Sequence, residues 1–262
     1  MQSIRSKSKS ILKRSFFYKA YVFYRAKKAL KSWTTQDQIM YDFYRQFIHE
    51  GDTCFDVGAN LGNRTNIFLR CGANVVAIEP QKDCIFLINS AFRKNPNFHL
   101  IPKALGVEKG TSSIYISDSK TVSSMSTEWI SKVKRTKRFG DNEWRKVKKV
   151  EVTTLDLLIK QFDIPSFIKI DVEGYEYEVL RGLSSPVKHI SIEFTPEYFE
   201  NTTNALEYLE RLGPIRCNLV IGESFKFYLD EWVSPQEMIN ILNNFRKKTK
   251  LWGDIYIQYI NL

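Results

Sequence analysis

The chain has 262 residues, of which 43% are hydrophobic and 14% aromatic, and its formal net charge is +10 at pH 7. This composition is typical of one folded domain with extensions and excludes a disordered chain. Four cysteines without C-x-x-C spacing and three scattered histidines argue against a disulfide scaffold, a zinc site and a histidine-rich metal centre.

The positive charge is concentrated in an N-terminal arm. Residues 1–32 contain ten Lys and Arg and no Asp or Glu, while the remainder carries 29 basic and 29 acidic residues. The apolar run from Phe16 to Tyr24 is interrupted by Lys19, which argues against a cleavable signal and a membrane-spanning helix. We interpret residues 1–49 as a basic, aromatic helical arm.

Two interpretations of this arm remain open. It is either a helix packed on the domain with a solvated basic face, or a helix lying on an anionic membrane surface. Nucleic-acid binding through the same residues is less favoured. The expected location is cytoplasmic and, in the second interpretation, peripheral at the inner face of the membrane.

Strand and helix patterns alternate after the arm. Thr34 or Thr35 is expected to cap a helix that continues to about His49, with Ile39, Phe43 and Phe47 on one face. Short apolar runs suited to buried strands then alternate with helical patterns: CFDV (54–57), NVVAIEP (74–80), FIKI (167–170) and VKHISIEF (187–194). This alternation predicts a parallel sheet with helices on both faces, in a domain over residues 50–262.

Residues 118–146 interrupt the pattern. They are polar and irregular, with a basic cluster from Lys132 to Arg138. The segment is expected to be a variable insertion, either a mobile cover over the substrate or an ordinary solvated loop.

The first motif, CFDVGANLGNRT, predicts a ligand loop between a strand and a helix. Open α/β sheets bind ligands at the carboxyl ends of their strands, and Gly58 and Gly62 allow the backbone to approach a ligand closely. Glu79 ends the second strand, 23 residues after Asp56. A carboxylate at that position can accept hydrogen bonds from ribose hydroxyls.

Three kinds of cofactor site compete for this loop. A dinucleotide site needs G-x-G-x-x-G and a P-loop needs G-x-x-x-x-G-K-[ST], and neither pattern is present. S-adenosylmethionine, which has no phosphate, needs close backbone approach, a ribose-binding acid and groups for an amino-acid tail. Asn60 offers both a donor and an acceptor for that tail. A glycine turn without a ligand is the remaining alternative.

The second motif, FIKIDVEGYEYEVLRGL, places acids at the end of another strand. Asp171 and Glu173 follow the strand directly and are expected beside the cofactor loop. Glu176 and Glu178 lie at the start of the next helix, where its dipole favours negative charge. We assign these two to helix stabilisation.

Together, FDVGANLGNRT, VVAIEP, VTTLDLLI and IKIDVEGYEYEVLRGL resemble the FkbM family of S-adenosylmethionine-dependent methyltransferases in order and spacing, over about residues 50–195. The resemblance implies a class I methyltransferase (Rossmann-like) fold, with a seven-stranded, mostly parallel sheet whose last strand is antiparallel. It also implies methyl transfer to a hydroxyl, often on a sugar or another secondary metabolite.

The resemblance also implies site residues. Glu79 would bind the ribose, Pro80 would flank the adenine, and Asp171 would close the site near the methionine end. A serine-rich stretch, residues 121–126, resembles a family segment near the pocket. The full set of implied cofactor-binding residues is Asp56, Gly58, Ala59, Asn60, Gly62, Thr65, Glu79, Pro80, Ala104, Leu105 and Asp171.

Methylation of a hydroxyl requires a base, since an alcohol is a poor nucleophile at neutral pH. The catalytic candidates are Asp171, Glu173 and Glu193, which ends the SIEF strand; His189 is interpreted as a structural histidine. No metal site is predicted, although an ion between Asp171 and Glu193 stays open.

The leading hypothesis is an O-methyltransferase that acts on a sugar hydroxyl of a glycan or glycolipid precursor. A nucleic-acid methyltransferase is an alternative, but the chain has DVEG where amino-methylating enzymes carry N/D-P-P-Y/F. A cofactor-binding scaffold without activity is the third hypothesis, and the intact cofactor loop counts against it.

Overall fold

Ten strands and eight α-helices build the fold in the described residues between Thr35 and Tyr259. The computed structural model describes residues 23–25, 27–30, 32–119, 121–246, 251–260 and 262. The strands are β1 (Thr53–Val57), β2 (Asn74–Ile78), β3 (Phe98–Ile101), β4 (Ala104–Leu105), β5 (Gly110–Ile116), β6 (Lys146–Thr153), β7 (Phe167–Ile170), β8 (His189–Phe194), β9 (Ile215–Ile221) and β10 (Gly253–Tyr259). The helices are α1 (Thr35–Tyr44), α2 (Asn63–Arg70), α3 (Lys82–Phe92), α4 (Thr127–Arg135), α5 (Leu155–Phe162), α6 (Glu176–Leu180), α7 (Phe199–Leu212) and α8 (Pro235–Asn243).

The central sheet has seven strands in the order β3-β2-β1-β7-β8-β10-β9. Neighbouring strands are parallel except β10, which runs antiparallel to both β8 and β9. This arrangement confirms the predicted seven-stranded, mostly parallel sheet with an antiparallel last strand. A second sheet, β4-β6-β5, has three strands.

One face of the sheet is aliphatic. Alternate residues of the strands, such as Ile168 and Ile170 in β7, pack with α5, α6, α7 and α8 in one cluster. Both residues are wholly buried. Burial of this apolar surface, at about 25 cal/mol per Å², is the main source of stability on this side.

The opposite face is aromatic. Phe167 of β7 and Tyr256 of β10 pack against Tyr44 and Phe47 from the α1 region, with Phe47 stacked on Tyr256 at 5.4 Å between ring centroids. Thr34 caps α1, as predicted, but the helix ends at Tyr44. The side chains at positions 40, 43, 44 and 47 are buried, an i, i+3, i+4, i+7 stripe, whereas Ile39 on its edge is 42% exposed.

The described part of the arm packs on the domain. Residues 23–25 and 27–30 are helical, and Leu30 is buried. Its carbonyl accepts a hydrogen bond from Asn66 Nδ2 at 3.0 Å, and the Phe23 ring lies 4.8 Å from the ring of Phe86. The expectations for residues 1–22 lie outside the described residues. Within the part described, no helix has the length and apolar character needed to span a bilayer.

Residues 118–146 are more ordered than their sequence indicates. The expectation of an irregular segment is wrong, because α4 lies within it and is capped by Ser126. Trp129, Val133 and Trp144 are buried in a cluster of their own. The Trp129 indole donates to Thr195 Oγ1 at 3.1 Å, which ties the segment to the end of β8.

Candidate functional site

The carboxyl ends of β1, β2, β7 and β8 lie along one edge of the sheet. Gly58 and Asp171 meet there: the Asp171 amide donates to the Val57 carbonyl at 3.0 Å. A Cβ on Gly58 would lie 1.9 Å from the Asp171 carbonyl oxygen, and the φ of Gly58 is +82°. Glycine is therefore required at position 58, where the backbone of the first motif contacts the backbone of the second motif.

A narrow cleft opens above this crossing, with a volume of about 50 Å³. Its walls come from the loops after β1, β2, β3 and β7 and from residues 121–125. Seven of the predicted cofactor residues line it: Gly58, Asn60, Glu79, Pro80, Ala104, Leu105 and Asp171. The lining combines apolar walls with a few polar groups, which suits an adenosine.

Glu79 is buried at the far side of the cleft and is 2% exposed. Its Oε2 accepts the amide of Asn60 at 2.9 Å, and its Oε1 accepts the amide of Gln81 at 2.7 Å. Burial raises the pKa of Glu79 to about 7. The carboxylate thus fixes the loop, and its position in the cleft wall suits it to accept a ribose hydroxyl.

Asn60 lies at the turn of the first motif, with a φ of 48°. Its Nδ2 donates to the Thr121 carbonyl at 3.2 Å, and the Cys84 thiol donates to its Oδ1 at 3.8 Å. In the structure the side chain therefore connects the loop to residues 121–125. Its contact with an amino-acid tail stays a prediction.

Four predicted cofactor residues lie behind the loop and line neither cavity. Thr65 Oγ1 donates to a buried oxygen of Asp56, whose pKa burial raises to about 6. Ala59 packs in a small cluster with Ile88, and Gly62 caps α2. These four residues support the loop from below.

A second, larger cavity of about 490 Å³ adjoins the cleft. The two cavities share five lining residues: Gly58, Asn60, Thr121, Asp171 and Glu173. The other lining residues come from distant parts of the chain: Arg64, Val122, Arg138, Phe139, Glu193, Thr195, Glu223 and Trp252. We call it the acceptor cavity, because a group attacking a cofactor in the cleft would approach from it.

The three predicted catalytic residues meet where the cavities join. Oxygen atoms of Asp171, Glu173 and Glu193 all lie within 4.8 Å of one another, a spacing that would also admit a cation. Burial, followed by the charges of neighbouring acids, raises the pKa of Glu173 and Glu193 well above the usual range. Glu173 Oε2 is buried without a hydrogen-bond partner among the described residues. Because a raised pKa favours the protonated form, Glu173 and Glu193 are better suited to hold a proton than to take one from a substrate.

His189, the other base considered, lies elsewhere. It is buried against the Phe47 ring at 5.2 Å and lines neither cavity. Burial lowers its pKa to about 4. The interpretation as a structural histidine fits this position.

Two arginines of the acceptor cavity were not found from the sequence. Arg64 lies 3.2 Å from Glu223, and Arg138 lies 2.6 Å from Glu197 in a buried pair. Arg138 also donates to the Leu251 carbonyl at 2.8 Å. Arg64 directly follows the glycine loop, which is the one local signal that could have marked it.

Residues 121–125 form a roof over both cavities. Ser123 Oγ donates to Gln81 Oε1 at 3.1 Å, and Ser124 Oγ donates to the Glu173 carbonyl at 2.6 Å. Thr121, Ser123 and Met125 line the cleft itself. The serine-rich stretch noted in the sequence therefore closes the cleft from above.

Comparisons with solved structures give remote similarities. An O-methyltransferase from Bacillus cereus in complex with SAH has 9% identity and a TM-score of 0.46, over 92% of this chain and 90% of that chain. A putative rRNA methylase from Clostridium thermocellum has 11% identity and a TM-score of 0.44, over 88% of this chain and 98% of that chain. A precorrin-6y C5,15-methyltransferase from Geobacter metallireducens has 12% identity and a TM-score of 0.42, over 83% of this chain and 84% of that chain. No curated protein matches the chain.

The family comparison is specific. The model of the methyltransferase FkbM domain matches residues 56–248, from the buried aspartate of β1 to beyond α8. Gly58, the buried carboxylate of Glu79 and the apolar walls of the cleft fit the cofactor of that family. The chain therefore belongs to the FkbM methyltransferase family, whose members are enzymes that use S-adenosylmethionine.

Proposed function

We propose that this methyltransferase methylates a hydroxyl of a sugar in a glycan or glycolipid precursor. The observation that carries the proposal is the junction of the two cavities, where Asp171, Glu173 and Glu193 surround the passage from the acceptor cavity to the cofactor cleft.

A hydroxyl acceptor follows from the acids at this junction. S-adenosylmethionine, when bound, supplies a methyl group that is open to in-line attack. The acceptor oxygen forms the new C–O bond as the S–C bond breaks, and a carboxylate takes the hydroxyl proton. Asp171 is the first candidate for this base, with Glu173 and Glu193 beside it. A positioned base contributes about 10²–10⁴-fold to such a step.

A sugar suits the walls of the acceptor cavity. Phe139 and Trp252 offer aromatic surface for the apolar face of a pyranose, while Arg64 and Arg138 offer N–H donors to its hydroxyls. The volume of about 490 Å³ is within the range of small-ligand sites.

The N-terminal arm supports a membrane-associated acceptor. All of the net positive charge lies in residues 1–32, and the arm enters the described structure beside exposed aromatic rings. Tyr24 is 63% exposed and Phe86 is 65% exposed. Basic residues and aromatic rings together favour an anionic lipid surface.

Radiolabel transfer tests the acceptor class. The full chain is incubated with methyl-labelled S-adenosylmethionine and either lipid-linked oligosaccharides, nucleotide sugars or RNA. We expect base-stable label in a sugar and, at saturating S-adenosylmethionine, a decrease of about 10²-fold or more with Asp171→Asn. The exposed Glu108→Gln serves as the matched control. Label in RNA but not in sugars would overturn the proposal.

Flotation tests the membrane contact separately. The full chain is mixed with phosphatidylcholine vesicles with and without phosphatidylglycerol. We expect flotation only with the anionic lipid, and its loss when Arg5, Lys7, Lys9, Lys13 and Arg14 are changed to Gln. Equal flotation of both chains would remove the membrane part of the proposal and leave the acceptor untouched.

A further inference from the structure

Lys169 is a lysine without solvent exposure in the middle of the central sheet. It is 0% exposed and belongs to β7, whose other face is formed by Ile168 and Ile170. Its side chain therefore enters the aromatic face of the sheet. A charged lysine is almost never found there unless it is paired.

Two carboxylates pair with this ammonium from different strands. Lys169 Nζ lies 2.8 Å from Asp254 Oδ1 and 3.4 Å from Asp171 Oδ2. Asp254 belongs to β10 and is 4% exposed, and it is the direct cross-strand partner of Glu193. The lysine thus connects the last strand of the fold to the acid at the cavity junction.

Lys169 remains charged in this setting. Burial opposes the charge, but Asp171 and Asp254 outweigh it and raise the pKa of Lys169 above its usual value. Tyr44 adds to this effect and Arg64 opposes it. The site therefore contains a fixed positive charge directly beneath Asp171.

Asp171 depends on this charge for its placement. Its side chain is 34% exposed and lines both cavities. Among the described residues, Lys169 is the cation within salt-bridge distance of it, while Glu173 and Glu193 stand close on the other side. Without the ammonium, the Asp171 carboxylate would lose this ion pair and would be free to turn away from the junction.

We propose that Lys169 is a positioning residue that holds the Asp171 carboxylate at the junction of the two cavities. The inference uses the cofactor of the family and is independent of the acceptor proposed above. Lys169 is wholly buried and lines neither cavity, so we expect its effect on cofactor binding to pass through Asp171, the cavity residue with which it forms an ion pair.

A double-mutant cycle tests this dependence. Calorimetry measures the affinity of the full chain for S-adenosylmethionine and S-adenosylhomocysteine in Lys169→Met, Asp171→Asn and the double variant. We expect each single change to weaken S-adenosylmethionine binding by about tenfold or more. The double variant should bind within about threefold of Asp171→Asn alone, because the lysine then has nothing left to position. Losses that multiply, or an unchanged affinity in Lys169→Met, would overturn the proposal.

Asp254→Asn provides the matched control. It removes one buried charge of the same network but leaves the Lys169–Asp171 pair, so the affinity should stay within about threefold while the protein loses stability. An affinity loss equal to that of Lys169→Met would show a general packing effect and contradict the proposal.

The same variant keeps the test valid if Lys169→Met does not fold. Removing the lysine alone leaves Asp254 as an uncompensated buried charge, which strongly destabilises a core. The cycle is then measured in the Asp254→Asn chain, where no such charge remains. Lys169→Met must again weaken binding there, and only while Asp171 is present.

Discussion

The cofactor cleft and the acceptor cavity share a wall but are built in different ways. The cleft is formed by short loops at the ends of neighbouring strands, where backbone contacts such as that of Gly58 with Asp171 fix the shape. The acceptor cavity is formed by long charged side chains from distant segments, held by ion pairs such as Arg138–Glu197.

This difference separates two kinds of constraint. We expect the cleft to tolerate few substitutions, because the backbones of Gly58 and Asp171 are in direct contact. The acceptor cavity is determined by which side chains reach it, so its specificity can change by substitution while the cleft stays the same. Four substitutions test this division, in order of decreasing effect.

Gly58→Ala should damage both cavities, since it alters the shared wall. The new Cβ would overlap the Asp171 carbonyl, and we expect a loss of ~4 kcal/mol or more in the free energy of unfolding, together with loss of S-adenosylhomocysteine binding. Chemical denaturation and calorimetry measure these quantities. Gly51→Ala is the control, because its φ is +85° but nothing lies within 4 Å of the added atom; it should cost only about 1–2 kcal/mol.

Arg138→Met should affect the acceptor side alone. It leaves Glu197 as a buried, unpaired charge, and we expect the free energy of unfolding to fall by about 3–5 kcal/mol with unchanged affinity for S-adenosylhomocysteine in the folded protein. Lys134→Met breaks the exposed pair with Glu143 and should cost less than about 1 kcal/mol. Equal losses in the two variants would refute the structural importance of the buried pair.

Glu79→Ala should affect the cofactor side alone. It removes the acceptor for the amides of Asn60 and Gln81 and the predicted acceptor for the ribose, so the affinity for S-adenosylmethionine should fall about 100-fold. Calorimetry measures the change, with the exposed Glu108→Ala as control. Unchanged affinity would exclude Glu79 from the cofactor site.

Glu176 lies beneath the wall that the two cavities share. Glu176→Gln should change how the free energy of unfolding depends on pH. Glu176 is 3% exposed, its Oε1 accepts the amides of Val172 and Gly174, and burial raises its pKa to about 7. The native state therefore binds more protons than the unfolded state between about pH 4.5 and 7, so stability falls as pH rises through this window.

The glutamine variant lacks this proton, so its unfolding free energy should exceed that of the native chain by ~1–3 kcal/mol at pH 8 and match it near pH 4. Urea denaturation at several pH values measures the difference. Parallel stability curves for the two chains would mean that Glu176 does not titrate in this range.

The sheet and the cofactor cleft could be predicted from the sequence for a physical reason. Gly58, Glu79 and Asp171 each act at the end of a strand, and strand ends in a parallel sheet meet at one edge. Local patterns and the rule of ligand binding at that edge are enough to bring them together. The three catalytic candidates were predicted on the same basis, and the structure places them within one cluster.

The acceptor cavity could not be predicted from local sequence patterns in this way. Arg138 and Trp252 are far apart in the chain, and their place in one cavity depends on how the segment around α4 folds. Helix α4 itself was missed because it is only nine residues long and three of them are Lys or Arg, whereas its buried face consists only of Trp129, Ile130 and Val133. Lys169 was visible as a charge in an apolar strand, but its partner Asp254 is 85 residues away.

The roof over the cleft has a consequence for the order of events in a catalytic cycle. Residues 121–125 cover the cleft, whose volume is about 50 Å³, and we expect this roof to lift when a cofactor binds. Lifting would break the bonds from Ser124 to Glu173 and from Asn60 to Thr121. Asn60, Thr121 and Glu173 also line the acceptor cavity. We therefore expect sequential kinetics in which S-adenosylmethionine binds first and S-adenosylhomocysteine leaves last, a sequence that product-inhibition patterns would reveal.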